Sequence, residues 1–384
     1  MTSEICSNLN LIVSCMAVFI ISWSISLFLI PKILLISVKK KLLDPIDKRK
    51  IHRVRASRLG GVAFFPSITV SVCVVIGLCL LFDRSIINTG DFCFLLFTGA
   101  ACFAQYILGL TDDMMDLRYR IKFAVQFSAA FLITISGICI SNLYGLFGIT
   151  HIPGVIGIPL TMLLIVFIIN AINLIDGING LASGLSIIAL TLFGVTFCIQ
   201  QAVLPAVLSF ATVGALAAFF RYNVFGVRRK STRIFMGDSG TLVIGTLVAS
   251  LAVMTFSGKQ DVPPEKAVFN LFMAYSALIV PCFDVLRVML HRYKKNQPMF
   301  QPDKCHIHHK FLALGFSQKK TLLILLGLST GFIALNSLLY PILPVGIILF
   351  LDVFLWTGMN ILMTKRIKTH IKKTVSVETN KIKP

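Results

Sequence analysis

Charge is what this sequence has least of. Only 14% of its 384 residues are charged, and Asp and Glu together number 16. A soluble domain carries about 25% charged residues, so a soluble globular chain and a charged disordered one are both excluded. The sequence also lacks a C-x-x-C pair. Eight of its ten cysteines (Cys15, Cys73, Cys79, Cys93, Cys102, Cys139, Cys198 and Cys282) lie in or beside apolar runs. They read as small hydrophobes rather than as a disulfide or zinc framework. Internal repeats and low-complexity tracts are missing, and no stretch is long enough for a separate soluble domain. No basic segment precedes the first apolar run, which is too long for a signal-peptide core, so it reads as a retained span.

What is present is apolar sequence, at 56% of the chain. Runs near 9–36, 60–82, 92–111, 123–143, 152–172, 181–200, 203–220, 239–257, 267–289, 321–340 and 342–363 are each long enough for a helix to cross about 30 Å of hydrocarbon. The expected fold is all-α: a polytopic integral membrane protein of about 11 transmembrane helices.

The net charge of +20 would suit a nucleic-acid binder, but its placement argues against one. All but three of the 36 Lys and Arg (Arg84, Lys259 and Lys266) fall on alternate loops, at the inner end of the first run or in the tail. That is the positive-inside pattern. It expects the N-terminus on the periplasmic side and the C-terminus in the cytoplasm. It also expects one transmembrane catalytic domain over 1–363, with a basic cytoplasmic tail over 364–384.

Polar groups interrupt the apolar pattern on the cytoplasmic side only. Ionisable residues at the edges of spans are costly and mark function. Asp112, Asp113 and Asp116 close the third run. Three carboxylates so close repel one another unless a cation or a bound proton offsets the charge. Lys122 and Gln126 open the fourth run at i, i+4, on one helical face. The fifth run ends in Asn170-Ala-Ile-Asn173-Leu-Ile-Asp176-Gly177-Ile-Asn179-Gly180-Leu. Its amides recur at helical spacing, and its glycines permit a break or close backbone approach.

Three further features lie on the same side. Gly237-Asp238-Ser239-Gly240 opens the eighth run; alone it would be an ordinary helix cap. His306-x-His308-His309 sits in a basic loop without the partner ligands of a zinc site. Imidazoles among lysines suit phosphates better. Asp47 to His52, leading to Arg58-Leu59-Gly60-Gly61, could reach a phosphate or simply signal topology. Together these loops hold carboxylates for a hard cation, amides for polar recognition and cations for phosphates. That is equipment for phosphoryl transfer, where positioning and charge neutralisation dominate.

The ordered set DDxxD, NAxNxxDGxxGL, FMGDxG and HxHH resembles the polyprenyl-phosphate N-acetylhexosamine-1-phosphate transferases. Within that family the chain looks most like the bacterial enzymes that use UDP-N-acetylglucosamine and undecaprenyl phosphate to start O-antigen and related glycans. The resemblance implies attack of the lipid phosphate on the sugar-linked phosphate, release of UMP, and Mg²⁺ (or Mn²⁺) as cofactor. It implies Asp112, Asp113 and Asp176 as catalytic residues, with Asp238 and Asn173 on the metal. Lys122, Asn179, His306, His308 and His309 would bind the nucleotide-sugar. Many bacterial members carry Asp where this chain has Asn179, whereas the eukaryotic branch has Asn. The HxHH spacing differs from the uninterrupted HHH of the peptidoglycan branch. The partners implied are UDP-N-acetylhexosamine, undecaprenyl phosphate and membrane lipid, with no nucleic acid; a homodimer is allowed. A phospho-N-acetylmuramoyl-pentapeptide transferase is the alternative within the family. An intramembrane prenyltransferase would need a second aspartate-rich motif. A transporter would need its polar groups near the bilayer midplane.

Overall fold

The computed structural model describes residues 2–40, 57–82, 89–145, 148–226, 234–257, 263–297 and 305–381. Asp47 to His52 lie outside the described residues.

The chain forms twelve helices among the described residues: α1 Thr2–Lys39, α2 Phe64–Phe82, α3 Thr89–Met115, α4 Tyr119–Ile135, α5 Gly154–Ile175, α6 Leu181–Ile199, α7 Val203–Phe225, α8 Gly237–Ser257, α9 Pro264–Lys294, α10 Ile307–Ala313, α11 Gln318–Leu339 and α12 Val345–Lys381. A 3₁₀ turn, Leu59–Ala63, leads into α2. The described residues contain isolated bridges but no strand. Ten helices are long and apolar enough to cross a membrane, so the chain is a polytopic membrane protein. α10 is too short to be one of them.

The expected span 123–143 needs correction. α4 stops at Ile135 after 17 residues, about 26 Å of helix at 1.5 Å per residue. Gly137, at φ +96°, turns the chain off the helical path. The apolar residues beyond it are buried without being helical: Ile138 and Ile140 are 6% and 5% exposed. The Ile140 N–H donates to Thr161 Oγ1 on α5 at 2.9 Å. α4 nonetheless runs away from the site and α5 runs back to it. The end of α3, the start of α4 and the end of α5 meet at one site (below), so the chain must travel to the far end before α5 brings it back. The tail also differs in form, since α12 continues without a break as far as Lys381.

α8 is the centre of the bundle. In its most apolar stretch 83% of residues are buried, against 22% for α12. Val243, Ile244, Val248, Ala249, Leu251 and Val253 have no exposed surface, as expected for a helix apolar all round. α3, α5, α6 and α9 pack against it. The first turn of α8 is therefore surrounded by the ends of its neighbours, and Asp238 lies there.

The segment before α2 closes one flank. The N–H groups of Gly60 and Gly61 donate to the carbonyls of Phe235 and Met236 at 3.0 and 2.9 Å. The Phe235 N–H donates to Ser57 O at 2.8 Å. These bonds hold the turn into α8 in place. Gly61 packs so closely on Gly240 that a side chain there would run into the α8 backbone.

Candidate active site

The site begins with Gly237, which at φ +69° makes the turn into α8. The next two N–H groups are among the first-turn donors that a helix leaves without internal partners. Both are taken by Asp113 of α3: Asp238 N–H donates to Oδ1 at 2.8 Å and Ser239 N–H to Oδ2 at 2.9 Å. A carboxylate at the positive end of a helix is well placed electrostatically. In this structure Asp113 fastens α3 to α8.

Asp238 projects from the same turn toward α4 and α5. Asn173 Nδ2 donates to Asp238 Oδ1 at 3.1 Å and to Thr241 Oγ1 at 2.7 Å. Lys122 Nζ donates to Asp238 Oδ2 at 3.2 Å and pairs directly with Asp112. Asp112 in turn accepts from the Leu117 N–H at 2.7 Å, tying down the turn after α3. One ammonium thus stands between two carboxylates that approach from different helices. Asp112 is nearly buried, with 6% of its side chain exposed, whereas Asp238 keeps 30% exposed. Asp238 is the more exposed of the two acids.

The third aspartate of DDxxD does not join the cluster. Asp116 is exposed, on a left-handed turn at φ +50°. Asn170 and Asn173 lie on one side of α5 but take different partners. Asn170 Nδ2 donates to Gln126 Oε1 at 2.8 Å, tying α5 to α4.

Asp176 caps the end of α5 beside the cluster. Burial, reinforced by the negative charges of Asp238 and Asp113, pushes its carboxyl up to about 7. A carboxyl perturbed in this way is a mark of functional sites. The turn that follows is held by Asn223 of α7, whose Oδ1 accepts from the Gly180 N–H at 2.5 Å. The Asn223 Nδ2 donates to Ile234 O at 2.7 Å, so one amide joins the turn after α5 to the strand-like stretch before α8. Asn179, on that turn, has a buried Oδ1 with no hydrogen-bond partner.

The histidines reach this site through Gly177. His308 is 1% exposed and lies against the Gly177 backbone. A Cβ at position 177 would overlap the imidazole Nε2. Among the described residues neither ring nitrogen of His308 has a hydrogen-bond partner. Its ring stacks on His306, with centroids 5.7 Å apart and planes 7° apart, and lies 4.3 Å from the His309 ring. Burial, with the neighbouring His309, lowers the His308 imidazole to about 3, so it is neutral at physiological pH.

His306 is fixed by a residue the motifs did not flag. Asp284 of α9 has no exposed surface. Its Oδ2 is 2.9 Å from His306 Nδ1, and its Oδ1 accepts from the Ile307 N–H at 2.9 Å and from Arg287 Nη2 at 2.7 Å. Arg287 Nη2 also donates to Cys305 O at 2.5 Å. The available signal was a lone acid inside an apolar run, which is a functional pointer by itself. Asn223 had a weaker signal, since beside Arg221 it reads as a solvated helix end.

The donor chemistry suits a magnesium ion. Among the described residues no three His, Cys, Asp or Glu side chains gather as a metal cluster. Mg²⁺ does not require one, because it takes one or two carboxylates and completes its shell with substrate phosphates and water. Asp238 and Asp112 are hard oxygen donors of that kind, and Asp238 keeps exposed surface.

Residues 92–256 match the glycosyl transferase family 4 profile. The chain is 33% identical over 295 residues to the decaprenyl-phosphate N-acetylglucosaminephosphotransferase of Mycobacterium tuberculosis, covering 72% of this chain and 70% of that one. The chain belongs to glycosyl transferase family 4. It is also 28% identical over 361 residues to the undecaprenyl-phosphate alpha-N-acetylglucosaminyl 1-phosphate transferase of Escherichia coli O157:H7, covering 91% of this chain and 93% of that one. In this family 4 member the matched segment holds Asp112, Asp113, Lys122, Asn173, Asp176, Asn179 and Asp238. The histidines come from outside it and are brought in by the fold.

Proposed function

We propose that this chain transfers N-acetylhexosamine-1-phosphate, with N-acetylglucosamine as the sugar, from a UDP-sugar to undecaprenyl phosphate at the cytoplasmic face of a bacterial inner membrane. The product would initiate O-antigen, capsule or another envelope glycan. The observation that carries the reading is the convergence of Asp112, Asp113, Lys122, Asn173 and Asp238 on the first turn of one buried helix.

In this reading an oxygen of the lipid phosphate attacks the β-phosphorus of the UDP-sugar. A new P–O bond forms, the anhydride bond between the two phosphates breaks, and UMP leaves. Mg²⁺, held by Asp238 with Asp112 or Asn173 nearby, would neutralise charge on the transferring phosphate. Lys122 adds a fixed positive charge between the two acids. Asp113 keeps Asp238 in place by holding the turn from which it projects. Asp112, close to the Lys122 ammonium, organises the lipid phosphate. Asp176, titrating near neutrality, and Asn179 face the nucleotide. His306 and His309, around the buried His308, offer imidazole nitrogens to the diphosphate.

The cytoplasmic placement rests on the arrangement of Lys and Arg. The single form of the pathway is not needed for the test. Purified protein with undecaprenyl phosphate and Mg²⁺ should release UMP from UDP-N-acetylglucosamine faster than from other UDP-sugars. No UMP from any UDP-N-acetylhexosamine would sink the proposal. Preference for the UDP-muramoyl-pentapeptide would move the chain to the peptidoglycan branch.

A further inference from the structure

Behind the histidine helix, away from Asp238, lies a groove of about 650 Å³ between α9 and α12. Its lining follows helical spacing on both walls. On α9 the sequence is Phe283, Leu286, Arg287, Leu290, His291, Lys294; on α12 it runs from Val353 and Trp356 to Lys365 and Lys368. The lysines lie at the end of each wall, Lys294 on α9 and Lys365 and Lys368 on α12, while Arg287 sits deeper, between Leu286 and Leu290. The Phe283 and Trp356 rings meet at 77°, with centroids 6.1 Å apart, between the two helices. Leu286, Leu290 and Val353 are 47%, 53% and 51% exposed, so the walls open toward the surrounding membrane rather than into the bundle.

The polar groups of this groove are nearly all donors. Lys310 of α10 enters it and is tied to α12, with its Nζ 3.0 Å from Asn360 Oδ1 and 3.1 Å from Thr364 Oγ1. Among the described residues no Asp or Glu lines the groove. Two of the lining side chains hold a buried N–H without an acceptor among the described residues: Nε1 of Trp356, which is 3% exposed, and Nε of Arg287. A groove lined by cations and donors suits a ligand rich in acceptors.

We infer that this groove binds an anionic phospholipid of the leaflet adjoining the site, with its phosphate among Arg287, Lys310 and the rim lysines Lys294, Lys365 and Lys368 and its acyl chains along Leu286, Leu290 and Val353. Basic pockets between helices at a membrane interface suit such headgroups. A free nucleotide would have no use for the apolar walls, and a neutral lipid none for the cations. Because Arg287 and Lys310 also hold the histidine helix, the bound lipid braces α10 against α12.

The test is native mass spectrometry of the full chain released from membranes of equal phosphatidylglycerol and phosphatidylcholine. The wild type retains phosphatidylglycerol about tenfold over phosphatidylcholine. The triple variant Lys294→Gln, Lys365→Gln, Lys368→Gln loses that preference while its melting temperature stays within the scatter of wild type. Thr357→Phe, which keeps every charge and fills the exposed floor of the groove, also lowers retention. In hydrogen exchange, added phosphatidylglycerol slows residues 306–313 in the wild type and not in the triple variant. Equal retention of both lipids by wild type, or unchanged retention in both variants, overturns the inference. So does displacement of phosphatidylglycerol by one equivalent of undecaprenyl phosphate, which would make the groove the acceptor's own. A change of oligomeric state in the triple variant would instead make it a face between copies. None of these outcomes depends on transferase activity, so the proposed reaction stands or falls separately.

Discussion

On the carboxylate side of the site each acid is held from another element; on the histidine side one ring is clamped and its neighbour has no partner. Asp113 is fixed by two N–H groups of α8, Asp112 and Asp238 share Lys122, and Asn173 holds Asp238 from α5. His306 is fixed just as firmly by Asp284, but His308 is held by shape alone, against Gly177. The carboxylate side is a lattice of charge between helix ends and is already assembled. The histidine side is a short helix docked on a glycine, with the buried His308 ring packed against the Gly177 backbone. A rigid acid side and a docked imidazole side is a sensible division for the proposed reaction, which must admit a nucleotide-sugar and release UMP.

The largest effect should come from breaking the carboxylate side. Asp238→Asn removes the exposed acid while keeping its size and its contact with Asn173. Turnover should fall by about 10³-fold or more, as expected when the cation that neutralises the transferring phosphate loses its ligand. The measurement is UMP release at saturating Mg²⁺, and a rate near wild type contradicts the metal role.

Next comes the docking glycine. Gly177→Ala pushes a methyl group into the His308 ring. A displacement of about 1 Å at a reacting centre can cost on the order of 10²-fold, so kcat/KM should fall by about that much. If the fault is steric, His308→Gly should recover part of the loss in the Gly177→Ala background. No recovery would mean that Gly177 serves the turn and not the histidine.

Asp284→Ala should act mainly on stability. It strands Arg287 and His306 without their buried partner, and breaking such a network costs about 3–5 kcal/mol. Thermal melting in detergent should show a marked drop for Asp284→Ala and a smaller one for Asp284→Asn, which can still hydrogen-bond. Equal melting of all three proteins contradicts the clamp.

The smallest effect is on pH. The folded His308 imidazole lies near 3, below the ordinary value of 6.5. Between those values the undocked ring binds a proton and the docked ring does not, so docking weakens as pH falls and is fully present above 6.5. Amide exchange in residues 306–313 should speed up as pH drops from 7 to about 5, after correction for intrinsic rates. His308→Asn should flatten that dependence. An unchanged slope would place the titration elsewhere.

Much of this was legible in the sequence, for reasons that differ by element. Each expected apolar run became a helix, because length and apolarity are local properties. The end of α4 escaped, since Ile138, Cys139 and Ile140 continue the apolar run and are apolar for a different reason: they line the bundle after Gly137 has turned the chain. The acid side was legible because its residues come in dense motifs, and the structure brings Asp112, Asp113, Lys122, Asn173 and Asp238 together. What the motifs did not convey is who holds whom. That Asp113 caps α8, or that Gly177 receives His308, depends on contacts between segments 125 and 131 residues apart in sequence. Asp284 and Asn223 were missed because each is a single polar residue with partners in segments distant in sequence, His306 for Asp284 and Gly180 and Ile234 for Asn223.

The most direct measurement follows the phosphorus. UDP-N-acetylglucosamine labelled with ³²P at the β-phosphate is given to the purified protein with undecaprenyl phosphate and Mg²⁺. Phosphoryl transfer at this site predicts label in the lipid fraction and unlabelled UMP in the aqueous one. Label left in UDP, with only the sugar moved to lipid, would contradict the account.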